Sequence, residues 1–491
     1  MLWAILGCGG VGGRYDVHTG KRVEGGDRRG ASSTTCGRVQ VCGCLAAGVG
    51  LQFGKLFEGI FVSFLYIRVA SAMHDAGALS AALGGLEGAL AGIGGVAGGL
   101  TPANRAETPF YFVATGGVEN DVMRHFRSRM HQGQRGPALL IAHPGHNSLP
   151  AAMEILAQVR QEGETGRIYF LRGAEDGGTL RAIGQTARCL AANQKLAGDR
   201  LGVIGPSSDW LVASSHRSEI VGNRFGMRVV QITLDELRAR IARDPQPPDG
   251  PEYDIWESST VQEGVSREAF ARAVGVYRGL RALVEEHRLT ALTLRCFDLV
   301  TQDATTGCLA LARLAAEGIT AGCEGDIPSV VLLRWLWHLS GEAGWMANVA
   351  DMDASTGEMC LAHCTVPLCR VKDLRLMTHF ESGLGVGLDG TFSSGPVTIL
   401  RLGGAQLELG WGAEGEWLGN QHADGLCRTQ ARIQVAPAAI AELLRAPLGN
   451  HVIMIPGKML ALFQEALALN LAANSPRRAL ETAVAESAKS G

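Results

Sequence analysis

The 491-residue chain lacks an excess of charge of either sign: 45 lysines and arginines against 48 aspartates and glutamates leave a formal net charge of -3. That removes the electrostatic footprint expected for nucleic-acid phosphates or an anionic membrane surface. The chain also lacks a good membrane span. "GIFVSFLYIRVA" is too short for about 30 Å of hydrocarbon, and "ALSAALGGLEGALAGIGGVAGGL" is interrupted by glycines and Glu87. The 12 cysteines do not form the framework of a small disulfide-rich domain. Many sit in apolar stretches such as "TLRCFD" and "TGCLALARL", as reduced cysteines do. With no export signal read, a cytoplasmic protein without membrane or nucleic-acid partners is expected. No repeat of solenoid period is present.

A length of 491 residues with 46% hydrophobic content supports two or three sizeable cores. Residues 1–63 read as a poorly structured, Gly-rich extension. Within it, Gly7, Gly9 and Gly12 of "AILGCGGVGG" have the G-x-G-x-x-G spacing of a dinucleotide fingerprint. The amphipathic helix and second strand that motif needs do not follow, so the match is rejected. From residue 64 to 198, continuous apolar strands ("TPFYFVATGG", "GPALLIAHPG", "GRIYFLRG") alternate with helices, predicting an α/β unit around a doubly wound parallel sheet. Residues 199–340 repeat the pattern in a second α/β unit. After about 340 the alternation gives way to short β-rich pieces with glycine turns, predicting an α+β domain over 341–491.

The residues that stand out are polar ones in apolar surroundings. "AGCEGDIPS" carries Glu324 and Asp326 to the mouth of a buried helix, "MANVADMDAS" holds Asp351 and Asp353, "CLAHCTVP" holds His363, and "LGNHVIMIPG" holds His451. An uncompensated buried charge costs several kcal/mol, so Glu324 and Asp326 call for an ion pair, a helix cap or a bound cation. Asp326 before "IPSVVLL" is placed to cap a helix, and Asp353 before "AST" to make a turn. Taken together, carboxylates and imidazoles form an O/N ligand set suited to Mn2+ or another divalent first-row cation.

In this order, "AGCEGDIPS", "MANVADMD", "LAHCTVP" and "GNHVIMIPG" resemble the L-fucose isomerase and L-arabinose isomerase superfamily. "PFYFVATGG", "HPGHNSLPAAMEIL", "RCFDL", "THFESG" and "CRTQ" resemble its fucose-isomerase-like branch, and the likeness runs from about residue 65 onward. The resemblance implies two Rossmann-like doubly wound units and a β-rich carboxyl-terminal domain. It further implies an aldose–ketose isomerase acting through an enediol on a small sugar, with a divalent metal, Mn2+ above all. Glu324 and Asp351 would be acid/base pair and metal ligands, His451 and His363 further ligands. A homo-oligomer with a pocket shared between subunits is also implied. His146, Asn147 and Ser148 of "HPGHNS", with Arg428 of "CRTQ", are the candidate sugar contacts; Asn147 or Ser148 could instead cap the next helix.

Three alternatives remain open at this level. Cys360, His363, Cys364 and Cys369 of "CLAHCTVPLC" could form a zinc or iron–sulfur site, although C-x3-C-x4-C misses the usual spacings. The scaffold could be a non-catalytic sugar-binding or regulatory protein. The same metal chemistry could also lead to epimerisation.

Overall fold

The computed structural model describes residues 62–100, 108–245, 247–262 and 264–474. The glycine fingerprint at Gly7, Gly9 and Gly12 and nearly all of the 1–63 extension lie outside these residues. Among the described residues, no helix is long and apolar enough to cross a membrane.

The first sheet consists of β1 (Phe64–Val69), β2 (Gly95–Gly98), β3 (Phe110–Val113), β4 (Ala138–Ala142) and β5 (Gly166–Phe170), all parallel in the order β2-β1-β3-β4-β5. Successive side chains of a strand point to opposite faces, and both faces here are apolar. Leu65, Ile67, Tyr111, Val113 and Leu140 meet Val122, Phe126 and Ile155 of the helices Glu119–His131 and Ser148–Gln161. Phe64, Tyr66, Phe110, Phe112 and Ile141 meet Leu79, Leu83 and Ile183 of the helices Ala76–Gly92 and Gly177–Ala197. Double coverage explains why β3 and β4 read as unbroken apolar runs.

The second sheet is formed by β6 (Arg200–Ile204) and β7 (Arg228–Ile232), and, beyond the short β8 (Thr260–Val261), by β9 (Ala291–Leu294) and β10 (Thr320–Cys323). Its strands are parallel in the order β10-β9-β6-β7. The helix Ile327–Ser340 that follows β10 is buried on almost every side. One continuous core explains this: Leu294 and Cys323 of the sheet, Leu332 and Trp335 of the helix, and Leu400 and Ile453 of the carboxyl-terminal region belong to a single cluster. A helix apolar all round is one enclosed by other layers.

The carboxyl-terminal region is β-rich. It contains β11 (Trp345–Asp353), β12 (Glu358–His363), β13 (Val371–Met377), β14 (Gly387–Phe392), β15 (Pro396–Gly403), β16 (Leu409–Asn420), β17 (Thr429–Val435) and β18 (His451–Pro456). Six of them close into an antiparallel barrel, β11-β12-β17-β16-β15-β18, while β14, β13 and the distant β8 make a small three-stranded sheet. Trp345, Leu361, Ile399, Trp411, Ile433 and Val452 fill the barrel core.

The structure departs from the sequence reading in a few elements. "GVAG", which no pattern in the sequence marks as a strand, is the edge strand β2. The helix Gly250–Ser258, with Pro in its first turn, where a missing N–H costs nothing, has no counterpart in the sequence reading. The helix Leu460–Ala473 returns to the first α/β unit, where Glu465 takes Arg167 Nη2 at 2.8 Å and Thr186 Oγ1 at 2.9 Å.

A buried ion group ties the start of β6 to the helix Ile327–Ser340. Asp199 accepts from Arg334 at 2.9 and 2.8 Å and from His338 Nε2 at 2.6 Å. Burial raises the Asp199 carboxyl, but these partners outweigh it and bring the pKa down to about 2. Arg334→Leu strands the carboxylate and should cost roughly 3–5 kcal/mol, read as a lowered urea midpoint near neutral pH. The depressed pKa also fixes a sign. Stability supplied by Asp199 is present above the ordinary 3.8 and is lost as pH falls through about 2, a slope that Asp199→Asn should remove from acid-unfolding curves.

Candidate metal centre

Parallel sheets bind ligands beyond the carboxyl ends of their strands, and Glu324 stands one residue past β10. Its φ is 63° and that of Gly325 is 73°. Left-handed backbone is costly for a residue bearing a Cβ. Gly325 is required for a further reason: a Cβ there would lie 2.5 Å from Ser207 Cα in the loop after β6. The strained turn is held by Ser208 N–H donating to Glu324 O at 2.8 Å and by Ser207 Oγ donating to Gly325 O at 2.7 Å.

Asp326 begins the helix Ile327–Ser340 and caps it, its Oδ1 accepting from Ser329 N at 2.8 Å. Its second oxygen takes Arg401 Nη1 at 3.1 Å and His451 Nδ1 at 2.9 Å. Asp326, Arg401 and His451 are all 0% exposed. Burial pushes the Asp326 carboxyl up, but Arg401 and His451 hold it well below the ordinary carboxylate range. Asp326 is therefore satisfied within the chain by the cap and ion pair that the sequence required.

Glu324 is not satisfied in the same way. Its Oε2 accepts from Trp210 Nε1 at 2.7 Å, while Oε1 lies 3.5 Å from His451 Nε2 and 4.0 Å from His363 Nε2. One ligand atom from each of Glu324, His363 and His451 fits within a set mutually closer than 4.8 Å, all three residues buried. A carboxylate only accepts hydrogen bonds, so His451 donates from Nδ1 to Asp326. In the neutral ring this leaves a lone pair on Nε2. That Nε2 is buried and has no hydrogen-bond partner. A histidine oriented by a carboxylate through one nitrogen, with the other bare, is the arrangement of a metal ligand. His363 is less prepared. Thr365 N–H donates to its Nδ1 at 3.3 Å, which places the neutral ring's proton on Nε2, so that contact must yield before Nε2 can ligate. The residues fit a divalent cation, with Glu324 and His451 as the ready ligands.

Charge follows the same geometry. Burial alone would lower His451, but Asp326 and Glu324 outweigh it and hold the pKa at about 9. Burial, then the neighbouring His451, pushes His363 down to about 3. Burial would raise Glu324, but the two histidines and the Trp210 N–H bring its carboxyl below the ordinary value.

Asp351 stands apart, which corrects its assignment as a ligand and catalyst. A register shift between Val349 and Asp351 sets it opposite Cys360 on β12. That is three residues short of His363, about 10 Å along a strand. Asp351 is exposed and accepts from Met352 N at 2.8 Å. Asp353 makes the expected turn, accepting from Ser355 N at 2.7 Å.

The four candidate sugar contacts divide. Ser148 is buried and structural: it accepts from His143 N at 3.0 Å and donates to Val113 O. His146 and Asn147 are exposed, with φ of 47° and 55°, at the carboxyl edge of the first sheet. His146 contacts the rings of His74 and His143 and makes no hydrogen bond or ring contact with the Glu324 group among the described residues. Arg428 Nε donates to Thr378 O at 2.8 Å, bracing the segment that carries His379 and Glu381. The cysteine alternative is not formed. Among the described residues, no group of metal-binding geometry includes Cys360, Cys364 or Cys369, and Cys360 Sγ accepts from Gln421 Nε2 at 3.0 Å.

Sequence reading did not single out Trp210, Arg401, His379 or Glu381. The His379 ring is 5.4 Å from that of Phe297, which is 4.8 Å from Trp210. Burial and the charge on Glu324 raise the carboxyl of Glu381. "THFESG" was a visible clue for His379 and Glu381; nothing local marks Trp210 or Arg401. No model of a known protein family matches the chain, and no match is found among curated proteins.

Because His451 holds a proton up to about pH 9 in the metal-free protein, a cation that takes Nε2 must displace it. Calorimetry of Mn2+ binding near neutral pH, in buffers of different ionisation enthalpy, should report about one proton released. His451→Ala should abolish that release and most of the affinity, with His363→Ala losing less. In the metal-free protein the sign is opposite to that of Asp199: stability from His451 is full below the ordinary 6.5 and is lost as pH rises through about 9.

Proposed function

We propose that this chain is a divalent-metal-dependent sugar isomerase, interconverting an aldose and a ketose. The observation that carries the reading is the buried group of Glu324, His363 and His451 at the carboxyl edge of a parallel sheet, with His451 Nε2 facing Glu324 Oε1 at 3.5 Å and making no hydrogen bond. The motif order resembling fucose and arabinose isomerases supports it. So does the strand order of the first sheet, which reverses between β1 and β3 as in doubly wound, Rossmann-like units.

A bound Mn2+ would supply a Lewis acid and template for two neighbouring sugar oxygens. The protein's task is to move a proton between adjacent carbons in a site shielded from water. Glu324 is the carboxylate within the ligand group, and it is ionised, as a base must be. Returning the proton needs a second group. Asp351 is too distant to be that group. His146 and Asn147, exposed on the first sheet, are free to reach a sugar in a neighbouring subunit of a homo-oligomer.

One observation favours a second reading, a non-catalytic sugar-binding or regulatory protein: Asp351 does not join the group, so among the described residues Glu324 is the one carboxylate in the candidate ligand set. The test is a panel of aldoses and ketoses incubated in D2O with Mn2+, with and without chelator. The isomerase reading expects chelator-sensitive isomer formation and deuterium at the carbon alpha to the carbonyl. It also expects Glu324→Gln to abolish turnover, by about 10³-fold or more for a group used in proton transfer, with an unchanged circular dichroism spectrum. Sugar binding without exchange for any member of the panel would establish the second reading instead.

A further inference from the structure

We propose that Trp210 is a positioning residue of the metal centre, selecting which oxygen of Glu324 is presented to the cation. The inference rests on the metal reading above and concerns a side chain outside the ligand set. Glu324 has two carboxylate oxygens in different surroundings. Oε2 is engaged by Trp210 Nε1 at 2.7 Å, whereas Oε1 faces His451 Nε2 at 3.5 Å and His363 Nε2 at 4.0 Å. An indole N–H can only donate, and a short bond to an ionised acceptor is among the stronger hydrogen bonds a protein makes. With Oε2 held, Glu324 offers one oxygen on the histidine side and is biased towards monodentate ligation.

The placement of Trp210 supports this role. The residue is 52% exposed, so its packing is only partial, and the one polar atom of its side chain is directed to a buried carboxylate. The ring stands edge-on to Phe297 at 4.8 Å and 83°, which fixes the direction of the N–H. The loop carrying it is fastened at both margins of the strained turn. Ser208 N–H holds Glu324 O, and Arg295 Nη1 donates to Ser207 O at 2.7 Å while its guanidinium meets Asp209 at 3.2 Å. The loop after β6 is thereby joined to the turn after β10 by Ser207 and Ser208 and to the end of β9 by Arg295. The indole is the contact between them that reaches a ligand side chain.

The test uses the full chain loaded with Co2+, whose visible spectrum reports ligand number and geometry. Two variants are compared with wild type: Trp210→Phe, and replacement of Trp210 by benzothienylalanine, which keeps the bicyclic ring and lacks the N–H. The proposal expects both to bind Co2+ roughly ten- to a hundredfold more weakly, the usual effect of losing a group that orients a metal ligand. Both should show the same altered absorption band, while the melting temperature of the metal-free analogue protein stays at the wild-type value. A wild-type spectrum and affinity in the analogue protein would overturn the proposal, because a purely structural indole acts through its ring. If wild-type protein takes up no Co2+, the metal centre itself is rejected and this role falls with it, a result distinct from a change confined to the variants.

Discussion

Arg401 and Asp326 meet in the interior, both without solvent contact, and the candidate site is organised around their pairing. Removing ions from water is expensive, and a buried pair holds only when hydrogen bonds serve its remaining atoms. Here they do. Asp326 receives the first turn of its helix and His451, and Arg401 Nη1 and Nη2 donate to Ser329 Oγ and Ser214 Oγ, each at 2.6 Å. The pair joins the helix after β10 to β15 and β18 of the barrel and to the loop after β6. It also sets the His451 tautomer. One electrostatic contact thus couples the packing of the second sheet against the barrel to the chemistry at Nε2.

Much of the architecture was legible from the sequence because strands covered on both faces must be largely apolar: β3 and β4 are so throughout, and β1, β6 and β9 at all but one position each. Elements whose stability comes from tertiary context were not. "GVAG" carries no strand signal and is held as β2 by pairing with β1, and the helix Leu460–Ala473 gains its place by packing against a helix nearly 300 residues earlier. At the site, Glu324, His363 and His451 were visible as polar residues in apolar surroundings, because that anomaly demands compensation. Asp351 looked equivalent in sequence. A shift of register in β11 sets its position, and a bulge leaves no mark in composition. Trp210 and Arg401 were missed because neither is anomalous locally: a tryptophan in a polar loop and an arginine in a strand acquire meaning only from their partners.

The left-handed Glu324 illustrates how function and stability oppose each other here. Glycine would relax the backbone at that position, yet glycine has no carboxylate. The strain is tolerated because neighbouring groups fix the turn from several sides, through Ser207, Ser208 and the cap at Asp326. Outliers of this kind persist where the surroundings over-determine them.

The position of β18 within the barrel has a consequence for biosynthesis. It lies between β11 and β15 and pairs with both, although it is the last of the six strands to leave the ribosome. Until it arrives, the barrel is an open sheet with two unsatisfied edges, the kind of surface that recruits stray strands. His451 is the first residue of β18, so the insertion that seals those edges also delivers the final imidazole. Closure of the sheet and completion of the Glu324, His363 and His451 group are a single event, and a nascent chain halted before residue 451 would have neither.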